Sequence, residues 1–241
     1  MPGGQYVALS GMRTRMDDLD RLAEDISNAG TAGYKAERSS RIAADRPVFD
    51  DSLQTAIDVA HGDKRMDMRT GNIIPTGRDL DVAIEGSGFF TVQQPDGTNA
   101  YTRDGRFMRG ADGTLTTNDG LPVIGADDDP IMIGTGKITI KGDGTVMSGN
   151  MTAGQLKIAE FGDPGKLVRQ SGSLLGAGSQ TPNDATDATV HAGAIEESNV
   201  KVVERIAELT DASRGFEALQ RGVSILMNDI YGKAIEQLGR R

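Results

Sequence analysis

Val202, Leu209, Phe216, Val223 and Ile230 stand seven residues apart, and this repeat limits the folds open to the chain more than any other feature. A straight α-helix drifts by about 20° per seven residues, so a sustained repeat of this kind describes a helix that winds along a partner. Ile206, Met227 and Ala234 occupy a companion row, with Ser213 and Gln220 as its polar positions, and Leu219 and Leu226 widen the stripe. Ser198 is placed to cap the helix, and Glu204 and Glu208 favour its positive end. Followed to Leu238, the pattern predicts a helix on the order of 60 Å long. Gly215, Gly222 and Gly232 lie inside it, and each costs about 1 kcal/mol relative to alanine. Such a helix draws its stability from whatever it packs against.

The other end of the chain has the same grammar. Leu9, Met12, Met16, Leu19, Ala23 and Ile26 recur at steps of three and four, with Arg13, Arg15, Asp17, Asp18, Asp20, Arg21, Glu24 and Asp25 read as a charged outer face. Asn28-Ala29-Gly30-Thr31-Ala32-Gly33 supplies a helix stop. From Gln5 to Ala29 the predicted helix spans roughly 37 Å.

Between these ends the period changes to two. Leu80–Ile84 and Lys137–Lys141 alternate, and Phe89-Phe90-Thr91-Val92 is a short strand-forming run. Asp-Gly pairs at 96–97, 104–105, 112–113, 119–120 and 143–144 predict hairpin turns in which both central residues take positive φ. The fold class is therefore mixed and mainly β: a hairpin-rich middle flanked by N- and C-terminal helices that form a coiled-coil-like pair. The divisions fall at 1–33 (N-terminal helix), 34–69 (extended connector), 70–194 (β-rich middle) and 195–241 (C-terminal helix). A polar stretch at 176–191 reads as a loop. With 32 glycines, no Trp and an aromatic share of 4%, a single large aromatic core is not expected.

The residues offer little chemistry. A net charge of −9 disfavours nucleic acid as a partner. No cysteine is present, which removes thiolate metal sites and thiol nucleophiles. His61 and His191 lie in separate polar stretches and read as surface residues. Asp127-Asp128-Asp129-Pro130 lacks the spacing of a calcium loop, and Gly134-Thr135-Gly136-Lys137 lacks that of a phosphate loop. Gly86-Ser87-Gly88 is not a nucleophile elbow. No catalytic, cofactor or metal residue is nominated, and the chain reads as a non-enzyme without a cofactor. Met1–Gln5 has no basic and apolar run of a cleavable signal. No uninterrupted apolar stretch of about 18 residues is present, so membrane insertion is not expected.

What remains is assembly. Narrow apolar stripes with charged flanks at both ends suit helices that pair and then bury their remaining apolar surface on neighbouring subunits. The expected interface residues are Leu9, Met12, Met16, Leu19, Ile26, Val202, Ile206, Leu209, Phe216, Val223, Met227 and Ile230. Repeated head-to-tail contacts of that kind build open helical assemblies.

Several segments carry a resemblance. Ala8–Met12 followed by Asp25–Lys35 resembles the N-terminal signature of the flagellar rod and hook family, although Ala32 stands where a proline is common. Gly86–Val92, Tyr101–Phe107 and the run from Asp112 to Gly125 resemble the family's central block. Glu197–Glu204 and Arg214-Gly215-Phe216-Glu217 resemble its C-terminal helix. The last element and the chain length favour a proximal rod type over a distal rod or hook subunit. The resemblance implies a structural subunit of the bacterial flagellar basal body, exported by the flagellar type III apparatus without a cleaved signal. Its implied partners are copies of itself and other rod proteins in the periplasm-spanning rod that transmits torque. A reading from a different class is a secreted β binding module on a coiled-coil stalk.

Overall fold

A computed structural model describes residues 3–39, 64–185 and 187–238. The connector read at 34–69 lies in part, at 40–63, outside the described residues, as does His61. Two compact units emerge. One holds the helices α1 (Gly3–Ser27) and α2 (Val202–Leu238). The other, Asn28–Arg38 with Arg65–Val200, is built of short strands. No helix among the described residues is long and apolar enough to cross a membrane.

Among the described residues the largest sheet of the β-rich unit has six antiparallel strands. Their order is Val168–Ser171, Leu174–Gly176, Asn99–Thr102, Phe89–Gln93, Ile158–Glu160 and Asn183–Asp184. Side chains alternate across a strand, so the adjacent Phe89 and Phe90 are sent to opposite faces. Phe90, Val92 and Ala100 join Phe107, Leu115, Val123, Ile131 and Val146 in the larger core. The Phe90 and Phe107 rings meet edge to face, with centroids 5.0 Å apart. On the other face Phe89, Tyr101, Ala159 and Leu175 pack with Phe161 and Leu167. There Tyr101 and Phe161 are 4.8 Å apart, also edge to face. Five of the ten aromatic residues thus sit on or against the middle of a sheet buried on both sides.

The Asp-Gly pairs show what local chemistry does here. Gln94 N donates to Thr98 O, and Gly97 N donates to Gln94 O, which makes a three-residue loop. The same two bonds recur at Gly110–Thr114, Thr117–Leu121 and Lys141–Thr145. Gly97, Gly113, Gly120 and Gly144 have φ of 82°, 89°, 81° and 81°. Each aspartate stays at negative φ, so these are type I turns closed by a left-handed glycine, not the turns with two positive-φ residues that the dipeptide suggests. The aspartate has another task in three of them: Oδ1 of Asp96, Asp112 and Asp143 accepts the backbone N–H of the threonine two residues on. Hydrogen bonds from these threonines, for Asp96 first the Thr98 hydroxyl and then its N–H, hold all three carboxyls below their ordinary pKa. A fifth turn, Gly125–Asp129, has the same hydrogen bonds with Asp128 in the glycine's place at φ 66°. The acidic run at 127–129 is therefore a hairpin tip, and Asp128 pairs with Lys157.

The last strands of the β-rich unit pair with earlier ones. Thr189–Ala192 pairs with Val82–Glu85, and Ala194–Glu196 pairs with Ile73–Pro75. The stretch read as a loop at 176–191 thus contains strand at both ends. His191 lies on the first of these pairings, with Nε2 2.5 Å from Glu85 Oε2.

Candidate assembly interface

The helical unit is an antiparallel pair. Arg205 Nε is 3.2 Å from Asp25 Oδ2, Gly215 faces the Arg15 side chain, and Gly11 faces Leu219. A step of ten residues down α1 is matched by a step of ten up α2, so the register does not slip over this interval.

The contact between the helices is turned slightly from the expected stripe. Met12, Leu19 and Ile26 on α1, and Leu209, Phe216 and Val223 on α2, are partly buried. The companion positions filled by the structure are Leu22 on α1 and Ala212 and Leu219 on α2, and Leu22 and Ala212 are buried. Ala23, one position from Leu22, and Ile206, in the row one position from that of Ala212 and Leu219, are exposed. An apolar row can take its companion at three or four residues' distance. Here the partner helix selects the narrower side. The side chains of Leu9, Met227 and Ile230 lie outside the described residues.

Charge contributes to that selection. Asp25, read as part of the outer face, is fully buried, with Arg205 across from it and Arg21 one turn before it. Arg21 also reaches Asp18 at 3.4 Å. A buried ionic contact in a helical seam fixes register better than it adds stability.

The turned contact leaves apolar side chains in solvent within this unit. Val203 is 83% exposed, Ile225 68%, Met16 56%, Ile206 49% and Val202 40%. At about 100° per residue, Val203 and Ile225 lie on the side of α2 opposite the α1 seam. Gly222 is also exposed, and a Cβ built there meets nothing within 4 Å. Gly222→Ala is expected to stabilise the pair by about 0.5–1 kcal/mol, read as a raised thermal midpoint of the helical signal.

Within the β-rich unit the residues that follow α1 and precede α2 are tied together. Gly33 N donates to Glu196 O at 2.8 Å. Lys35 Nζ donates to Glu196 Oε1 at 2.5 Å and to Arg69 O at 2.9 Å. Arg103 bonds Glu196 Oε2 at 3.2 Å as well as Ile84 O and Gly86 O. The Asn199 side chain accepts from Ala36 N and donates to Asp67 O and Arg69 O. Arg169 lies over the Tyr34 ring at 4.1 Å and donates to Lys35 O. Gly33 sits at φ 66°, and a Cβ there would stand 2.2 Å from the Arg103 carbonyl carbon. Only glycine fits. Burial pushes the Lys35 ammonium below its ordinary pKa, against the pull of Glu196. Composition and periodicity gave no sign of this cluster. Gly33, Tyr34, Lys35, Arg103 and Asn199 stand in the signature segments without an assigned role, and Glu196 and Arg169 stand outside them.

Comparison with known proteins places these features. The family described as the flagellar hook protein FlgE/F/G D1 domain matches residues 83–148, and the flagellar basal body rod FlgEFG protein C-terminal family matches residues 191–226. A flagellar basal-body rod protein FlgF of Caulobacter vibrioides is 32% identical, over 100% of this chain and 99% of its own length. The protein of the same name from Rhizobium meliloti is 34% identical over 99% of each chain. A flagellar basal-body rod protein FlgG of Agrobacterium fabrum is 31% identical over 88% of this chain and 90% of its own. With its β-rich middle, paired terminal helices and full-length likeness to the members named FlgF, the chain belongs to the flagellar basal-body rod protein family.

Proposed function

We propose that this chain is a structural subunit of the proximal part of the bacterial flagellar rod, where it joins copies of itself and other rod proteins and passes torque along the rod. The observation that supports this most is the apolar surface left uncovered on the helical pair, at Met16, Val202, Val203, Ile206 and Ile225. Covering one such side chain is worth roughly 1.5–3 kcal/mol, and neighbouring subunits would supply the cover. In this reading Met12, Leu19, Ile26, Leu209, Phe216 and Val223 hold the pair together and extend its apolar edge toward those neighbours. The work is mechanical and uses no catalytic group or cofactor. Export would run through the flagellar type III apparatus, and the protein would reside in the periplasm-spanning rod.

The test is the position of the protein in purified basal bodies, mapped with an antibody against the β-rich unit. Label on the rod near its membrane-proximal end is the expected result. Label at the hook, or absence from basal bodies of a motile strain that expresses the protein, would refute the reading.

A further inference from the structure

Glu196 is fully buried and lies between two buried cations from distant parts of the chain, Lys35 and Arg103. Its Oε1 also accepts the Gly71 N–H at 2.9 Å. The nearby carboxylate of Asp67 also attracts Lys35, but Arg38 and Arg69 more than balance its single charge. With two positive charges to one negative, the cluster carries one surplus positive charge. Removing the carboxylate's charge would double that surplus in a site from which water is excluded, and an uncompensated buried charge is strongly destabilising.

We propose that Glu196 is an electrostatic lock: the strap from Gly33 to Ala36 docks in the β-rich unit only when this carboxylate stands between Lys35 and Arg103. Lys35 and Glu196 are 161 residues apart. The stretch that follows α1 therefore stays undocked until the last strand of the unit, Ala194–Glu196, has been added. The device times the docking of the strap by the arrival of the unit's last strand. It does not depend on which partners the assembled protein meets.

Amide hydrogen exchange on the full-length protein tests the lock, with Gly33 and Ala36 as reporters because their N–H groups are bonded to Glu196 O and Asn199 Oδ1. Glu196→Gln keeps the shape and removes the charge. It is expected to speed exchange at the two reporters by about a hundredfold, while the Val92 and Leu115 amides of the core keep their protection. The double variant Lys35→Met with Glu196→Gln restores the original surplus of one positive charge. Its reporters are expected to return to within about tenfold of the parent rates. Unchanged reporter exchange in Glu196→Gln would overturn the proposal. So would a double variant that exchanges as fast as the single one. Should Glu196→Gln unfold the whole unit, the double variant still decides: recovery of the fold supports a charge lock, and equal unfolding overturns it.

Discussion

Gly105→Ala is expected to abolish the cooperative unfolding of the β-rich unit. A Cβ at this position would stand 1.8 Å from Val82 O and 3.0 Å from a Phe90 ring carbon. Val82 and Phe90 are both fully buried, and Val82 N donates to Gly105 O at 2.9 Å. The backbone cannot open to admit a methyl group without breaking that bond and parting the larger core. Overpacking a core costs roughly 1–3 kcal/mol where side chains can give way; here the obstacle is main chain, so a greater loss is expected. Gly97→Ala is the control. Nothing lies within 4 Å of its built Cβ, and the cost there is that of a left-handed alanine at φ 82°, about 1–2 kcal/mol. Urea unfolding followed by circular dichroism should show a lowered midpoint for Gly97→Ala and no folded baseline for Gly105→Ala. Equal midpoints would contradict the close approach.

The second large effect is expected on assembly, not on folding. In Val203→Glu with Ile206→Glu, two charges enter the part of α2 where apolar side chains stand in solvent. Glutamate favours a helix more than valine or isoleucine does, and Val203 faces away from α1, so the helical pair keeps its structure. Neighbouring subunits would instead have to desolvate two carboxylates in place of two apolar groups. A strain carrying only this variant should lose swimming in soft agar and lack hooks and filaments, while the purified protein keeps the parent's circular dichroism. Normal motility with the variant present in basal bodies would show that this face has no neighbour.

Gly105 also marks where sequence reading stops. Its Asp-Gly pair looks like the four others, yet it is not a left-handed turn glycine; it is there because two backbones meet. Periodicity and dipeptide preference describe one segment at a time and carry no information about such contacts. The helices and the strand-rich middle were legible because each rests on local repetition. The choice of Leu22 over Ala23, and of the row of Ala212 and Leu219 over that of Ile206, was not, since spacing alone permits either and the partner helix decides. Asp25 was read as exposed because its neighbours are charged, and only the facing Arg205 explains its burial. The Lys35–Glu196–Arg103 cluster is the extreme case: no segment of it is unusual by itself.

In the proposed rod the outward side of α2 meets another subunit. A photo-crosslinking amino acid placed at Val203, followed by irradiation of intact basal bodies and identification of the joined peptides, addresses that contact directly. A crosslink from Val203 to the terminal helices of another rod subunit is the result expected. Basal bodies that contain the protein but yield no crosslink from this position to any other subunit would contradict it.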